Sequence, residues 1–84
     1  MYTVIYQKQA IKTLAKMPSA IAIKIEAAFN QLATGNSINL DIKPLEGMPY
    51  YRLRVGQWRA VYNINEGKLT IVVVKIGARG GVYK

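Results

Sequence analysis

The chain has no cysteine and no histidine, and only four carboxylate side chains in 84 residues. Each absence removes a class of chemistry. Without imidazole or thiol there is neither a histidine general base nor a thiolate nucleophile, and no disulfide framework points to an oxidising compartment. The acids Glu26, Asp41, Glu46 and Glu66 fall in four separate segments without metal-ligand spacing. That argues against a two-metal nuclease, and no metal or cofactor is expected. Hydrophobic residues make up 51% of the chain, yet no window approaches the run of about 18 apolar residues that a membrane span needs. The N-terminal MYTVIYQKQA lacks the basic, apolar, small-residue order of a secretory signal. A soluble, cytoplasmic protein with no membrane partner is the expectation.

Positive charge, by contrast, is plentiful. Twelve Lys and Arg stand against four acids, a formal net charge of +8. The length allows one small domain, residues 1–84, with a core that is sufficient but not generous. So basic a domain suits a polyanion such as RNA, DNA or an acidic protein, although a basic scaffold without chemistry has the same composition.

Periodicity divides the chain into elements. YTVIY (2–6) is β-branched and aromatic and reads as a strand. QKQAIKTLAK then shifts to helical spacing, with Ala10, Ile11, Leu14 and Ala15 on an apolar stripe and Lys8, Lys12 and Lys16 in a row on another face. That row is either a solvated surface or an RNA contact. Pro18 breaks this helix, and a second follows in which Ile21, Ile25, Phe29 and Leu32 form the buried face and Gly35 the C-terminal cap. Residues 36–49 hold two of the three prolines and read as an ordered loop. Three strands complete the chain, YYRLRV, WRAVYNI and KLTIVVVKI, joined by GQ and NEG. The pattern predicts an α+β domain: strand, helix, helix, then a three-stranded antiparallel meander, with both helices packed on one face of an antiparallel sheet.

The first hairpin raises a question of charge. With Gly56 and Gln57 as its loop, Arg54 falls opposite Arg59; Tyr51, Leu53, Val55, Trp58, Ala60 and Tyr62 share one face, and Arg52, Arg54, Arg59 and Val61 the other. Like charges directly opposite destabilise a sheet by up to about 1 kcal/mol, so folding gives no reason for this arrangement. A polyanion does, because guanidinium groups are planar forks that bind phosphate oxygens in pairs. The alternative is that the arginines splay into solvent or pair with Asp41 and Glu46. The C-terminal KIGARGGVYK adds Arg79 on a glycine-rich loop and Tyr83 four residues on; an aromatic there can stack on a base and its phenol can bond a phosphate. Such a chain can catalyse only by charge and geometry. RNA brings its own nucleophile, the ribose 2′-hydroxyl, whereas DNA would need a metal or a covalent residue.

The stretch LEGMPYYRLRVGQWRAVYNI, with LTIVVVKIGARGGVYK after it, resembles the RelE/ParE superfamily of toxins from type II toxin-antitoxin systems. The most specific pieces are Leu-x-Gly-Met-Pro, the basic-x-basic on the next strand, the aromatic-Arg-x-Val-Tyr after it, and Gly-x-Arg followed by Val-Tyr. The resemblance implies the RelE-like fold and, in the RelE branch, a metal-independent endoribonuclease that cuts mRNA in the ribosomal A site and inhibits translation. It implies Arg52 and Arg54 at the basic-strand positions, Arg59 as the phosphate-binding arginine, Arg79 as the arginine that stabilises the transition state, and Tyr83 as the aromatic that stacks on or orients the cleaved nucleotide. It also implies a small acidic antitoxin as partner in a hetero-oligomer, alongside mRNA and the ribosome. The best-studied branch has lysines at or near the basic-strand positions. Arginine stays protonated, so proton removal from the 2′-hydroxyl falls to Tyr83, to Lys43 or Lys75, or to solvent. Lys43 and Lys75, with Lys8, Lys12 and Lys16, are also the expected RNA contacts. The ParE branch shares the fold but inhibits DNA gyrase and generally lacks the complete basic set; a non-catalytic basic RNA-binding module is the third reading.

Overall fold

Hydrophobic spacing changes twice along the chain, and the backbone follows it. The computed structural model describes residues 1–78. Strand β1 (Thr3–Tyr6) leads into helices α1 (Lys8–Lys16) and α2 (Ser19–Ala33), followed by β2 (Asp41–Pro44), β3 (Tyr51–Val55), β4 (Trp58–Asn65) and β5 (Thr70–Ala78). Pro18 separates the helices, and its carbonyl accepts the N–H groups of Ile21 and Ala22, both at 3.1 Å. Helix α2 ends where Gly35 turns to φ +85° and donates its N–H to the Leu32 carbonyl at 2.9 Å. A left-handed residue at that place costs glycine nothing sterically.

The strands form one five-stranded sheet in the order β1-β5-β4-β3-β2. Both helices contribute to a single core against it: Ala10 and Met17 from α1, Ile25, Ala28, Phe29 and Ala33 from α2, and Leu53, Ala60, Tyr62, Ile71, Val73 and Ile76 from the strands. Phe29 is the hinge of this layer, meeting the Tyr6 and Tyr62 rings edge-on at 6.0 and 5.3 Å. The predicted α2 face holds: Ile25 and Phe29 are buried and Ile21 and Leu32 half-buried. On α1 the buried stripe is narrower than the pattern suggests, with Ala10 buried but Ile11 56% exposed.

The α+β architecture is as the sequence predicts, with three differences of detail. The sheet is mixed, because β1 runs parallel to β5 while the other pairings are antiparallel. The segment 36–49 contains a strand, β2, paired to the outer edge of β3. Its short DIKP sequence has little β-propensity, and Pro44 fits because an edge strand need not donate every N–H. The last hairpin also has a longer loop than NEG: Asn65 faces Thr70, the Asn65 side-chain oxygen accepts the Lys68 N–H at 3.0 Å, and Leu69 turns to φ 52°.

Two features set the orientation of β5. Val61 faces Lys75 and Tyr62 faces Val73, which leaves Val74 as an extra residue. This bulge lets Ile76, Val73 and Ile71 all point into the core. Beyond Val73, where β1 has ended, Gln9 acts as a substitute strand: its amide nitrogen donates to the Ile76 carbonyl at 3.1 Å and its oxygen accepts the Ile76 N–H at 2.9 Å.

Candidate nucleic-acid interface

The sheet face turned away from the helices carries the charge. Register alone places its side chains. Lys43 faces Arg52, Arg52 faces Val61 and Val61 faces Lys75; in the adjacent row Asp41 faces Arg54, Arg54 faces Arg59 and Arg59 faces Gly77. Two neighbouring rows across four strands therefore bring together Arg52, Arg54, Arg59, Lys43 and Lys75. The hairpin does what its sequence predicts: Gly56 at φ +61° makes the tight turn that sets Val55 opposite Trp58 and Arg54 opposite Arg59. Tyr51 keeps to the predicted face, with its ring stacked on the buried Tyr62 at 5.6 Å, but near the start of its strand it stays 38% exposed.

The row Lys8, Lys12 and Lys16 is exposed on α1. Its helix lies in the layer on the other side of the sheet, with Ala10 facing the core, so these lysines are not gathered with the arginines. Arg79 and Tyr83 lie outside the described residues.

The three clustered arginines are not equivalent. Arg52 is only 8% exposed, and its Nη2 donates to Asp41 Oδ1 at 3.0 Å. Arg54 is an exposed side chain whose Nε forms an ion pair with Asp41 Oδ2 at 3.1 Å. One carboxylate on β2 thus serves two guanidinium groups, whereas Glu46 makes no ion pair among the described residues. Arg59 has no acid partner there. It is half-buried, and its Nη1 is fully buried without a hydrogen-bond partner among the described residues. A buried donor left unmade costs about 1 to 3 kcal/mol, more when charged. As the side chain stands the atom is closed to solvent, so an anion's oxygen reaches it only when the guanidinium turns outward.

Asp41 is the partner that the alternative reading of the hairpin names, and among the described residues it takes both Arg52 and Arg54 while Glu46 takes neither. What the sequence does not show is its place on a strand, because 36–49 reads as loop. The signal was the alternation in Asp41-Ile42-Lys43, which as a strand puts Ile42 against the core and Asp41 with Lys43 on the other face. An open groove of about 670 Å3 is lined by Gln7, Tyr51, Asn63 and Val72, with Glu66 as its one charged lining residue among the described residues.

Neither tyrosine of the core offers a base. Burial pushes the Tyr6 phenol up to about 12, with Glu26 adding to the effect. Burial likewise pushes Tyr62 up to about 12, with Tyr51 adding to it. Both are packed with the helix-side core rather than with the arginines.

The comparisons with known proteins agree with this fold. A family model described as the ParE toxin of type II toxin-antitoxin system, parDE, matches residues 4–83. Toxin RelE3 of Methanocaldococcus jannaschii is 32% identical over 84 residues, covering 95% of this chain and 93% of that protein. A chain in the crystal structure of the archaeal RelE-RelB complex from Pyrococcus horikoshii OT3 superposes with a TM-score of 0.77 at 28% identity, covering 96% of this chain and 98% of that one. A chain of the RelB-RelE antitoxin-toxin complex from Methanococcus jannaschii gives the same TM-score, 0.77, at 27% identity, with 94% of each chain covered. With nearly its whole length matched by that family model and by a toxin above 30% identity, the chain belongs to the RelE/ParE family of type II toxin-antitoxin toxins.

Proposed function

We propose that the protein is an mRNA interferase, an endoribonuclease that cuts mRNA on the ribosome and so stops translation. The observation that carries this reading is the strand face on which Arg54 lies opposite Arg59, flanked by Lys43 and Lys75, with Arg59 paired to no acid among the described residues. In the reaction the 2′-oxygen attacks the adjacent phosphorus, the P–O5′ bond breaks, and the products are a 2′,3′-cyclic phosphate and a 5′-hydroxyl. Arg59 takes a phosphate oxygen once its guanidinium turns outward. Arg54 supplies a second fork, and Arg52, buried with Asp41, supports it from behind. The resemblance assigns Arg79 to the charge that develops on the phosphorane and Tyr83 to the cleaved nucleotide. The 2′-hydroxyl proton goes to water or to Lys43, Lys75 or Tyr83 in its deprotonated form, since a guanidinium cannot accept it, and the departing 5′-oxygen takes a proton from water or from one of these groups. Metal independence is part of the proposal because the four acids are dispersed in sequence and Asp41, the acid beside the arginines, is already paired to two of them.

The partner follows from the relatives. Two solved structures of similar chains are complexes of RelE with RelB, and a net charge of +8 suits an acidic antitoxin. A cytoplasmic toxin held in a hetero-oligomer with that antitoxin is the corresponding cellular state. Expression without it is expected to arrest growth.

The family model's own description, ParE toxin, favours a second reading, gyrase inhibition. One experiment separates them. Purified protein is added to a translating extract, and mRNA 5′ ends are mapped while gyrase supercoiling is assayed in parallel. New 5′ ends with normal supercoiling are expected. Intact mRNA with blocked supercoiling establishes the second reading, and RNA that is bound but uncut leaves only a binding module. A single 2′-deoxy substitution at the cleaved nucleotide is expected to abolish cutting, whereas a chelator that spares the ribosomes is not.

A further inference from the structure

An acid beside a phosphate-binding face opposes the substrate's charge, yet Asp41 sits there with both oxygens engaged. We infer that Asp41 is a positioning residue, a built-in counter-ion that turns Arg52 inward and aims the free end of Arg54 at the RNA phosphate; this rests on the interferase reading. The register places Asp41 directly opposite Arg54 and one pair along from Lys43 and Arg52, on the same face. Oδ1 holds Arg52 Nη2 at 3.0 Å and Oδ2 holds Arg54 Nε at 3.1 Å, so neither arginine turns without breaking its ion pair. The exposures of the two side chains differ, 10% for Arg52 and 47% for Arg54. Arg52 is thereby committed to the protein. Arg54 is gripped through Nε alone, and its two terminal nitrogens, the edge that bonds a phosphate in pairs, make no ion pair among the described residues.

The inference has an unusual sign. Removing Asp41 adds one positive charge to the face, which by simple electrostatics strengthens RNA attraction. Loss of orientation acts on the rate instead, because a catalytic fork displaced by about 1 Å costs on the order of a hundredfold. Ribosome-programmed mRNA is therefore cut with wild-type protein, Asp41→Asn and Asp41→Glu under single-turnover conditions, and the half-saturating concentration is measured separately from the maximal rate. Expected for Asp41→Asn is a half-saturating concentration equal to or below wild type with a maximal rate about ten- to a hundredfold lower, and partial recovery of rate in Asp41→Glu. A rate equal to or above wild type in Asp41→Asn overturns the inference and makes Asp41 a placeholder that the phosphate displaces. Should the wild type cut no mRNA, the interferase reading fails and the clamp is judged apart from it. The side-chain Nε–H resonance of Arg54 is then followed by NMR during titration with a short single-stranded RNA. A sharp, RNA-responsive signal in wild type that is lost in Asp41→Asn, with the backbone spectrum unchanged, supports the clamp; identical signals in both proteins overturn it.

Discussion

On β4, Ala60 and Tyr62 are buried in the core at 0% and 1% exposure, while Arg59, one position before Ala60, points the other way with a guanidinium nitrogen that finds no acceptor among the described residues. The same alternation runs through β3, where Leu53 joins the core between Arg52 and Arg54. Two faces a single residue apart therefore follow different rules. The helix side satisfies itself through ring edges and close-packed methyl groups. The open side gathers like charges that one carboxylate only partly offsets. Under the proposed function, stability and ligand binding fall on opposite sides of the same strands and are separable by substitution.

The largest expected effect lies on the helix side. Phe29 is fully buried and touches two tyrosine rings, so Phe29→Ala is expected to cost about 3 to 5 kcal/mol. Against the 5 to 15 kcal/mol of a typical domain, that leaves so small a chain near or past its unfolding threshold. Urea titration of the soluble protein measures it. A loss under about 1 kcal/mol would mean that the core is not centred on this ring.

Arg59 is the counterpart on the open side. Arg59→Ala is expected to lower the cleavage rate by about a hundredfold to a thousandfold, as for removal of one preorganised donor at developing charge. Stability is expected to stay the same or rise slightly, because the substitution orphans no partner: the buried Nη1 already lacks one among the described residues. Single-turnover cleavage and a urea midpoint on the same sample test both halves. A fall in stability that accounts for the lost activity would collapse the distinction between the two faces.

What was legible in the sequence follows the same division. Period-two alternation around a Gly-Gln turn specified the hairpin, its register and the Arg54–Arg59 juxtaposition, because one apolar face fixes which way every side chain points. Helical spacing gave Ile25 and Phe29 equally well. Strand β2 was not legible, since Asp41–Pro44 is ordered by the open edge of β3 and not by its own propensity, and tertiary pairing overrides so short a segment. With it went the register that sets Asp41, rather than Glu46, against Arg52 and Arg54. The bulge at Val74 is similarly silent in a run of three valines, where any register buries an apolar residue.

The Asp41 ion pairs permit a sharper test of the open face. Asp41→Ala leaves Arg52 buried with its charge unpaired, whereas Arg52→Met removes the charge and keeps an unbranched apolar stem. Asp41→Ala is expected to destabilise by about 1 to 3 kcal/mol and Arg52→Met by less. The order of the two is the diagnostic quantity. Equal losses would show that Arg52 contributes by packing alone.

The smallest expected effect compares the two orphaned polar atoms directly. Tyr6 carries one on the helix side, a hydroxyl buried without a partner, as Arg59 Nη1 is on the open side. Burial, with the Glu26 carboxylate adding to it, pushes its phenol up to about 12 from the ordinary 10.0. Below pH 10 both folded and unfolded chains keep the proton, and the shift has no effect on stability. Between about pH 10 and 12 the unfolded chain releases it while the folded chain does not, so fewer protons are bound by the unfolded state and stability falls as pH rises. Tyr62, pushed up to about 12 in the same way, adds to the fall. Tyr6→Phe removes the orphaned hydroxyl and one of the two titrations. Its stability near neutral pH is expected to equal or slightly exceed wild type, and its loss between pH 10 and 12 to be shallower, with Tyr62 accounting for what remains. Urea midpoints of the two proteins at neutral pH and across that alkaline window decide it. Superimposable alkaline slopes would mean that the Tyr6 hydroxyl is solvated in the folded protein and is not the mirror of the arginine nitrogen on the other face.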